Sequence, residues 1–281
     1  MYFILFIIII FKLIIMPKFD FKKLRFFDVT LRDGLQSMKK IYTIQEKKDI
    51  LHNIIQKYPY TKNIEIGSMV SHKILPQMND SIELYKYAEE KYPHHNFFML
   101  IPNLTKFMSA KLAGIKNMSF ITSVSNEFQK KNIKQTINDT NYDLTMMTMD
   151  LDDNYKTKLY ISCVDECPIS GKLDVENICH KINNNLHFVI DNICISDTCG
   201  TLTFKNFKEI LENIDETKFN KISLHLHNSN NPDISDIITY AISKNITMFD
   251  VSDINAGGCS VTMNSNTMTN NLNYDFFKDF S

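Results

Sequence analysis

From Leu24 onward the chain repeats one alternation. Short runs of β-branched, aromatic and aliphatic residues appear as LRFFDV (24–29), NIEIG (63–67), NFFMLI (96–101), MSFITSV (118–124), KLYISCV (158–164), NICISD (192–197), KISLHLH (221–227) and ITMFDVS (246–252). Between them lie longer stretches such as QEKKDILHNIIQKY, SIELYKYAEEKY, NLTKFMSAKLAG, FKNFKEILENI and PDISDIITYAISKN, with apolar residues at helical spacing. Strands that alternate with helices predict parallel βαβ units, because a parallel pair needs a long crossover. Eight such units predict an α/β fold closed into a (β/α)8 TIM barrel, since right-handed crossovers leave few alternatives. No repeat or low-complexity linker divides the chain, so residues 18–281 are expected to form one barrel domain.

Composition excludes several classes. A hydrophobic share of 44% over 281 residues is too high for a disordered chain, and the formal net charge of -1 gives no nucleic-acid footprint. Cys163, Cys167, Cys179, Cys194, Cys199 and Cys259 form no CxxC pair, which favours reduced thiols in a cytoplasmic, intracellular protein. Residues 1–17 form an apolar extension, MYFILFIIIIFKLIIM followed by Pro17. The apolar stretch is short for a spanning helix, which needs about 20 residues, and it lacks a basic region and a small-residue cleavage site. Its expected reading is a segment packed on the domain or sequence upstream of a start at Met16, with a membrane anchor the weaker alternative.

A barrel of this kind carries its active site at the C-terminal ends of its strands. Polar groups gather at those ends: Arg32 and Asp33, Glu65 and Ser68, Asn103, Ser123 and Ser125, Cys163, Asp197 and Thr198, His225 and His227, and Asp253. In FFDVTLRDGLQ an arginine and an aspartate stand directly before Gly34, which is ordinary turn chemistry or the presentation of two charges to a substrate. Two residues apart on a strand, His225 and His227 face the same side. An isolated HxH is more often a pair of ordinary half-buried histidines. With the Asp33 carboxylate at another strand end, a divalent-metal site is the better reading. Cys259 follows Gly257-Gly258 after the last strand, where a loop thiol can serve a substrate as acid or base.

These residues carry a resemblance. RDGLQ (32–36), IEIGSMVSHKILPQM (64–78), PNLTKFMSAKLAG (102–114), SNEFQKKNI (125–133), YISCVDECPISGKL (160–173), SDTCG (196–200), HLHN (225–228) and GGC (257–259) are similar, in order, to the 3-hydroxy-3-methylglutaryl-CoA lyase family of metal-dependent TIM-barrel lyases. The resemblance implies that Asp33, His225 and His227 hold Mg²⁺ or Mn²⁺. It implies a fourth ligand in an asparagine after the GGC loop, Asn266 or, failing that, Asn264. It also implies that Arg32 steadies the thioester enolate, that Glu65 and Asp197 support the arginine and the metal-bound waters, and that Cys259 moves the proton at the departing carbon. The implied partner is a small acyl-CoA substrate, and a homodimer is allowed.

The chain departs from the family at Ser37-Met38, where Asn-Glu is usual, at Asn228, where HxHD is usual, and at Ser260 after GGC. HLHN is similar to the Claisen-condensing synthases of the isopropylmalate or citramalate type. A condensing acyltransferase, or a barrel that binds ligand without turnover, therefore stands as the alternative to cleavage of 3-hydroxy-3-methylglutaryl-CoA.

Overall fold

The structure, a computed structural model, describes residues 23–258, 261–263 and 268–280. The apolar extension 1–17, Cys259, Asn264 and Asn266 lie outside the described residues. Eight strands form the barrel: β1 (Arg25–Asp28), β2 (Asn63–Ser68), β3 (Asn96–Leu100), β4 (Asn117–Ser123), β5 (Lys156–Ser162), β6 (Asn192–Ser196), β7 (Ile222–His225) and β8 (Met248–Val251). They pair in sequence order, all parallel, and β1 closes on β8 with Arg25 opposite Met248 and Asp28 opposite Val251. The barrel read from the sequence is the barrel observed.

Helices α1 (Ile44–Lys57), α2 (Ser81–Lys91) and α3 (Leu104–Leu112) follow the first three strands. The fourth crossover holds two, α4 (Asn126–Ile133) and α5 (Ile137–Met149). Then come α6 (Val175–Asn185), α7 (Phe204–Glu212) and α8 (Ile234–Ser243). Their starts are chemically marked. Thr43, Asn103, Ser125, Thr136 and Thr203 each accept a hydrogen bond from a backbone amide in the first turn. After β8 a 3₁₀ segment, Tyr274–Phe280, lies where a final helix would cover β8 and β1. Phe277 packs on Phe26 of β1 and Phe249 of β8, with ring centroids 5.2 and 5.0 Å apart.

Alternation along each strand separates two layers. On β7, Ile222 and Leu224 join the apolar layer beneath the helices, while Ser223 and His225 alternate with them. Inside the barrel Lys158 pairs with Asp250, and both are almost wholly buried. Among the described residues no helix is long and apolar enough to cross a membrane.

Candidate active site

The first strand ends in a π-helical turn, Thr30–Gly34, rather than a reverse turn. Gly34 is needed there for space, not for a left-handed backbone: a Cβ on it would lie 2.9 Å from Ser252 Oγ. The turn buries Arg32 and Asp33 at the mouth. Arg32 Nε donates to Glu65 Oε2, its Nη1 donates to Asp33 Oδ1 at 2.5 Å, and its guanidinium lies 5.2 Å from the Tyr160 ring centroid. Tyr160 also donates to Glu65 Oε2 at 3.1 Å. Burial would pull the arginine's pKa down, but the Glu65 and Asp33 charges outweigh it and raise it well above the ordinary value.

Asp33, His225 and His227 converge, each with a ligand atom within 4.8 Å of the others. Strand β7 stops at His225, so His227 is not its continuation. It belongs to a two-residue antiparallel ladder in which His227 pairs with Asn271 and Asn228 with Asn270. The two rings still meet, with centroids 4.7 Å apart.

The donor set could hold a cation. His227 Nδ1 donates to the Asp197 backbone carbonyl at 2.8 Å, and a carbonyl can only accept, so Nε2 of the neutral ring keeps its lone pair. That Nε2 is buried with no hydrogen-bond partner. Burial, then the neighbouring His225, pushes the His227 pKa down to about 4, which keeps the ring neutral. His225 Nδ1 lies 3.1 Å from Asp250 Oδ2, leaving its Nε2 on the Asp33 side, 4.0 Å from Oδ2. Burial pushes the Asp33 carboxyl up, but Arg32 and the two histidines outweigh it and hold it below the usual range. One carboxylate and two imidazoles with free lone pairs, and no thiolate, suit a divalent cation such as Mg²⁺ or Mn²⁺.

A fourth group was missed in the sequence. Asn271 donates from Nδ2 to Asp33 Oδ2 at 2.9 Å, and its Oδ1 is buried without a partner. Asn266 and Asn264, the asparagines expected from the sequence, lie outside the described residues, whereas Asn271 stands in TNNLN a few residues further on. The glycine pair was the available signal. A Cβ on Gly257 would lie 2.7 Å from Asn271 Nδ2, so this loop is cut to let Asn271 pass. Gln36 was also missed: its Nε2 lies 2.8 Å from Asp33 Oδ1 and 3.3 Å from the Gly258 carbonyl, joining Asp33 to the glycine pair that precedes Cys259.

Other strand-end groups are turned elsewhere. Asn103 and Ser125 cap α3 and α4, and Asp253 takes hydrogen bonds from Lys57 and Tyr58 at the end of α1. The Asp197 carboxylate accepts from the Thr201 and Leu202 amides, so its side chain shapes the loop before α7 while its carbonyl orients His227. The five described cysteines are free thiols. A cavity at the mouth is lined by Arg32, Asp33, Tyr160, His225, His227 and Gly258, with Val70, Leu75, Ile121 and Phe128 on its apolar side.

Residues 23–237 match the family model described as HMGL-like. The chain belongs to the HMGL-like family. Among similar proteins, the 3-hydroxy-3-isohexenylglutaryl-CoA/hydroxy-methylglutaryl-CoA lyase of Pseudomonas aeruginosa is 26% identical over 240 residues, 85% of this chain and 79% of that protein. The mitochondrial hydroxymethylglutaryl-CoA lyase of Homo sapiens is 27% identical over 241 residues, 85% of this chain and 73% of that protein. A crystal structure of hydroxymethylglutaryl-CoA lyase from Pseudomonas aeruginosa superposes with a TM-score of 0.79 at 25% identity, covering 92% of this chain and 84% of that one. This HMGL-like chain is thus a hydroxymethylglutaryl-CoA lyase-like enzyme.

Proposed function

We propose that this HMGL-like enzyme is a divalent-metal-dependent carbon-carbon lyase that cleaves 3-hydroxy-3-methylglutaryl-CoA, or a similar 3-hydroxyacyl-CoA, to acetyl-CoA and acetoacetate. The observation that carries the reading is the convergence of Asp33, His225 and His227 beside Arg32 in one buried barrel mouth. Asp33, His225, His227 and Asn271 would hold the cation. When bound, Mg²⁺ or Mn²⁺ supplies Lewis acidity that lowers the pKa of the substrate hydroxyl.

The chain's own groups then have separate tasks. Asp33, kept ionised by Arg32, is a weak base on its own and orients the water that takes the hydroxyl proton. As the C3 oxygen becomes a ketone, the C2–C3 bond breaks and its electron pair passes to C2 and the thioester carbonyl. Two of the five Arg32 donors are held by Glu65 and Asp33, and the guanidinium borders the cavity, so a further N–H is available for that developing oxyanion. Cys259, next in the chain after Gly258, returns a proton to C2 and completes acetyl-CoA. The apolar wall of Val70, Leu75, Ile121 and Phe128 faces the substrate's carbon skeleton and limits water.

The test is incubation of the purified chain with 3-hydroxy-3-methylglutaryl-CoA and Mg²⁺ or Mn²⁺, with acetoacetate measured directly. Product that disappears on EDTA treatment and in Asp33→Ala is expected. Absence of acetoacetate, together with release of free CoA from acetyl-CoA and a 2-oxo acid, would replace cleavage by condensation.

A further inference from the structure

We infer that the aromatic strap 270–280 is a positioning device for the cation site, so that docking of Tyr274 and Phe277 on β1 and β8 is coupled to cation binding through Asn271. The inference rests on the metal reading proposed above and adds a group of residues more remote from the mouth.

The strap is anchored at two points, and Asn271 lies at the inner one. At the mouth, Asn271 pairs with His227 across the short ladder and reaches Asp33 with its amide. Just beyond it, the Leu272 carbonyl accepts from the Ser252 amide at 2.9 Å, and Leu272 is buried. At the outer end, the Tyr274 ring stacks on Tyr58 with centroids 3.5 Å apart and planes 12° from parallel. It also meets Phe26 edge-on at 5.5 Å, and its hydroxyl donates to the buried Asp28 carboxylate at 2.7 Å. Phe277, fully buried, bridges β1 and β8. Only two residues separate Asn271 from Tyr274, a span of about 10 Å of extended chain. A strap pinned so close to Asn271 leaves its side chain little freedom, and one released there lets the amide leave Asp33.

Coupling of this kind is reciprocal: a cation that engages Asn271 holds the strap down, and a strap held down raises cation affinity. If the strap is loosened, apparent affinity falls in proportion to the fraction of molecules in which it is docked. Tyr274→Phe, which keeps the ring and loses the Asp28 bond, is expected to weaken Mn²⁺ binding by a few-fold. The double variant Tyr274→Ala, Phe277→Ala is expected to weaken it by about tenfold or more, since it removes two buried rings. Neither variant touches a ligand atom.

The experiment measures Mn²⁺ affinity of the full chain by calorimetry, alongside amide hydrogen exchange of peptides covering 268–280 with and without Mn²⁺. The exchange measurement on wild-type protein stands even where the double variant fails to fold. Slower exchange of the strap on adding Mn²⁺, lost in Asn271→Ala, together with graded affinity losses in the Tyr274 variants, is the expected result. If wild type binds Mn²⁺ but strap exchange is unchanged, or if a folded double variant binds within twofold of wild type, the coupling is overturned and the metal reading stands. If wild type binds no Mn²⁺ at all, both are overturned.

Discussion

Replacing Asp250 by asparagine should expose how much of the site depends on the barrel interior. Asp250 accepts from Lys158 Nζ with one oxygen and faces His225 Nδ1 at 3.1 Å with the other, and all three side chains are buried. Lys158 also lies over two ring faces, with Nζ 3.5 Å from the Phe27 centroid and 4.6 Å from that of Tyr160. An asparagine cannot satisfy both neighbours. If its oxygen turns to Lys158, its NH₂ meets the His225 Nδ1 proton and forces the other tautomer, which places a proton on the Nε2 that faces Asp33. If its oxygen turns to His225, its NH₂ meets the ammonium.

Removing one partner of a buried ion pair costs about 3–5 kcal/mol, which for a domain near this size lowers Tm by roughly 6–20 °C. Loss of a carboxylate that orients a ligating histidine costs roughly 10- to 100-fold in metal affinity. Thermal denaturation in EDTA and Mn²⁺ calorimetry read the two effects separately. The double variant Lys158→Met, Asp250→Asn removes the stranded charge and frees the asparagine oxygen to accept from His225 Nδ1, so it should recover much of the Tm and part of the affinity. If Asp250→Asn melts within about 2 °C of wild type, or the double variant melts no higher than the single, the interior pair does not support the site as argued.

Further outcomes follow from the same geometry. Removing His227 as His227→Ala should abolish calorimetric Mn²⁺ binding while leaving the circular dichroism spectrum intact; retained tight binding would remove this ring from the ligand set. Arg32→Lys keeps the charge but loses the planar fork that serves Glu65 and Asp33 together, so kcat should fall by roughly 10²–10³ with less change in KM. A steady-state kinetic comparison with a fall under tenfold would count against the oxyanion role. For Asp28, burial outweighs the hydrogen bonds from Tyr274 and Thr30 and raises the carboxyl to about 6. Its folded pKa lies above the ordinary 3.8, so its contribution to stability is full below that value and is lost as pH rises through about 6. Tm measured from pH 4 to 7 should therefore decline less in Asp28→Asn than in wild type, and parallel curves would refute the assignment.

The barrel was legible because its signal is local. Eight apolar runs and their crossovers state the fold wherever the helices pack, and each observed strand lies within a few residues of its run. The Asp33 and histidine cluster was legible for a related reason: the turn after β1 delivers Asp33, β7 ends on His225, and His227 follows two residues on in the short ladder. Asn271 was not legible, because its place depends on how a long loop returns across the mouth and pairs with His227. That return is set by tertiary fit, by the missing Cβ of Gly257 and by the aromatic seat of Tyr274, none of which leaves a periodic trace. Cys259 and Asn266, expected to act from the same loop, lie outside the described residues.

The strand-end rule also proved too generous, and the reason is instructive. A polar residue at the C-terminal end of a barrel strand is equally well placed to cap the helix that follows. Asn103 and Ser125 do so, Asp197 spends its carboxylate on two loop amides, and Asp253 secures the end of α1. What separates the site from these is the atom left over. His227 Nε2, Asn271 Oδ1 and Glu65 Oε1 are buried beside the Arg32 and Asp33 pair with no partner among the described residues. Leaving such atoms unpaired costs about 1–3 kcal/mol each, whereas a caps-only arrangement would have satisfied them. Three unpaired acceptors beside the Asp33 carboxylate and the Arg32 guanidinium are the arrangement that a ligand supplying positive charge or donors would complete.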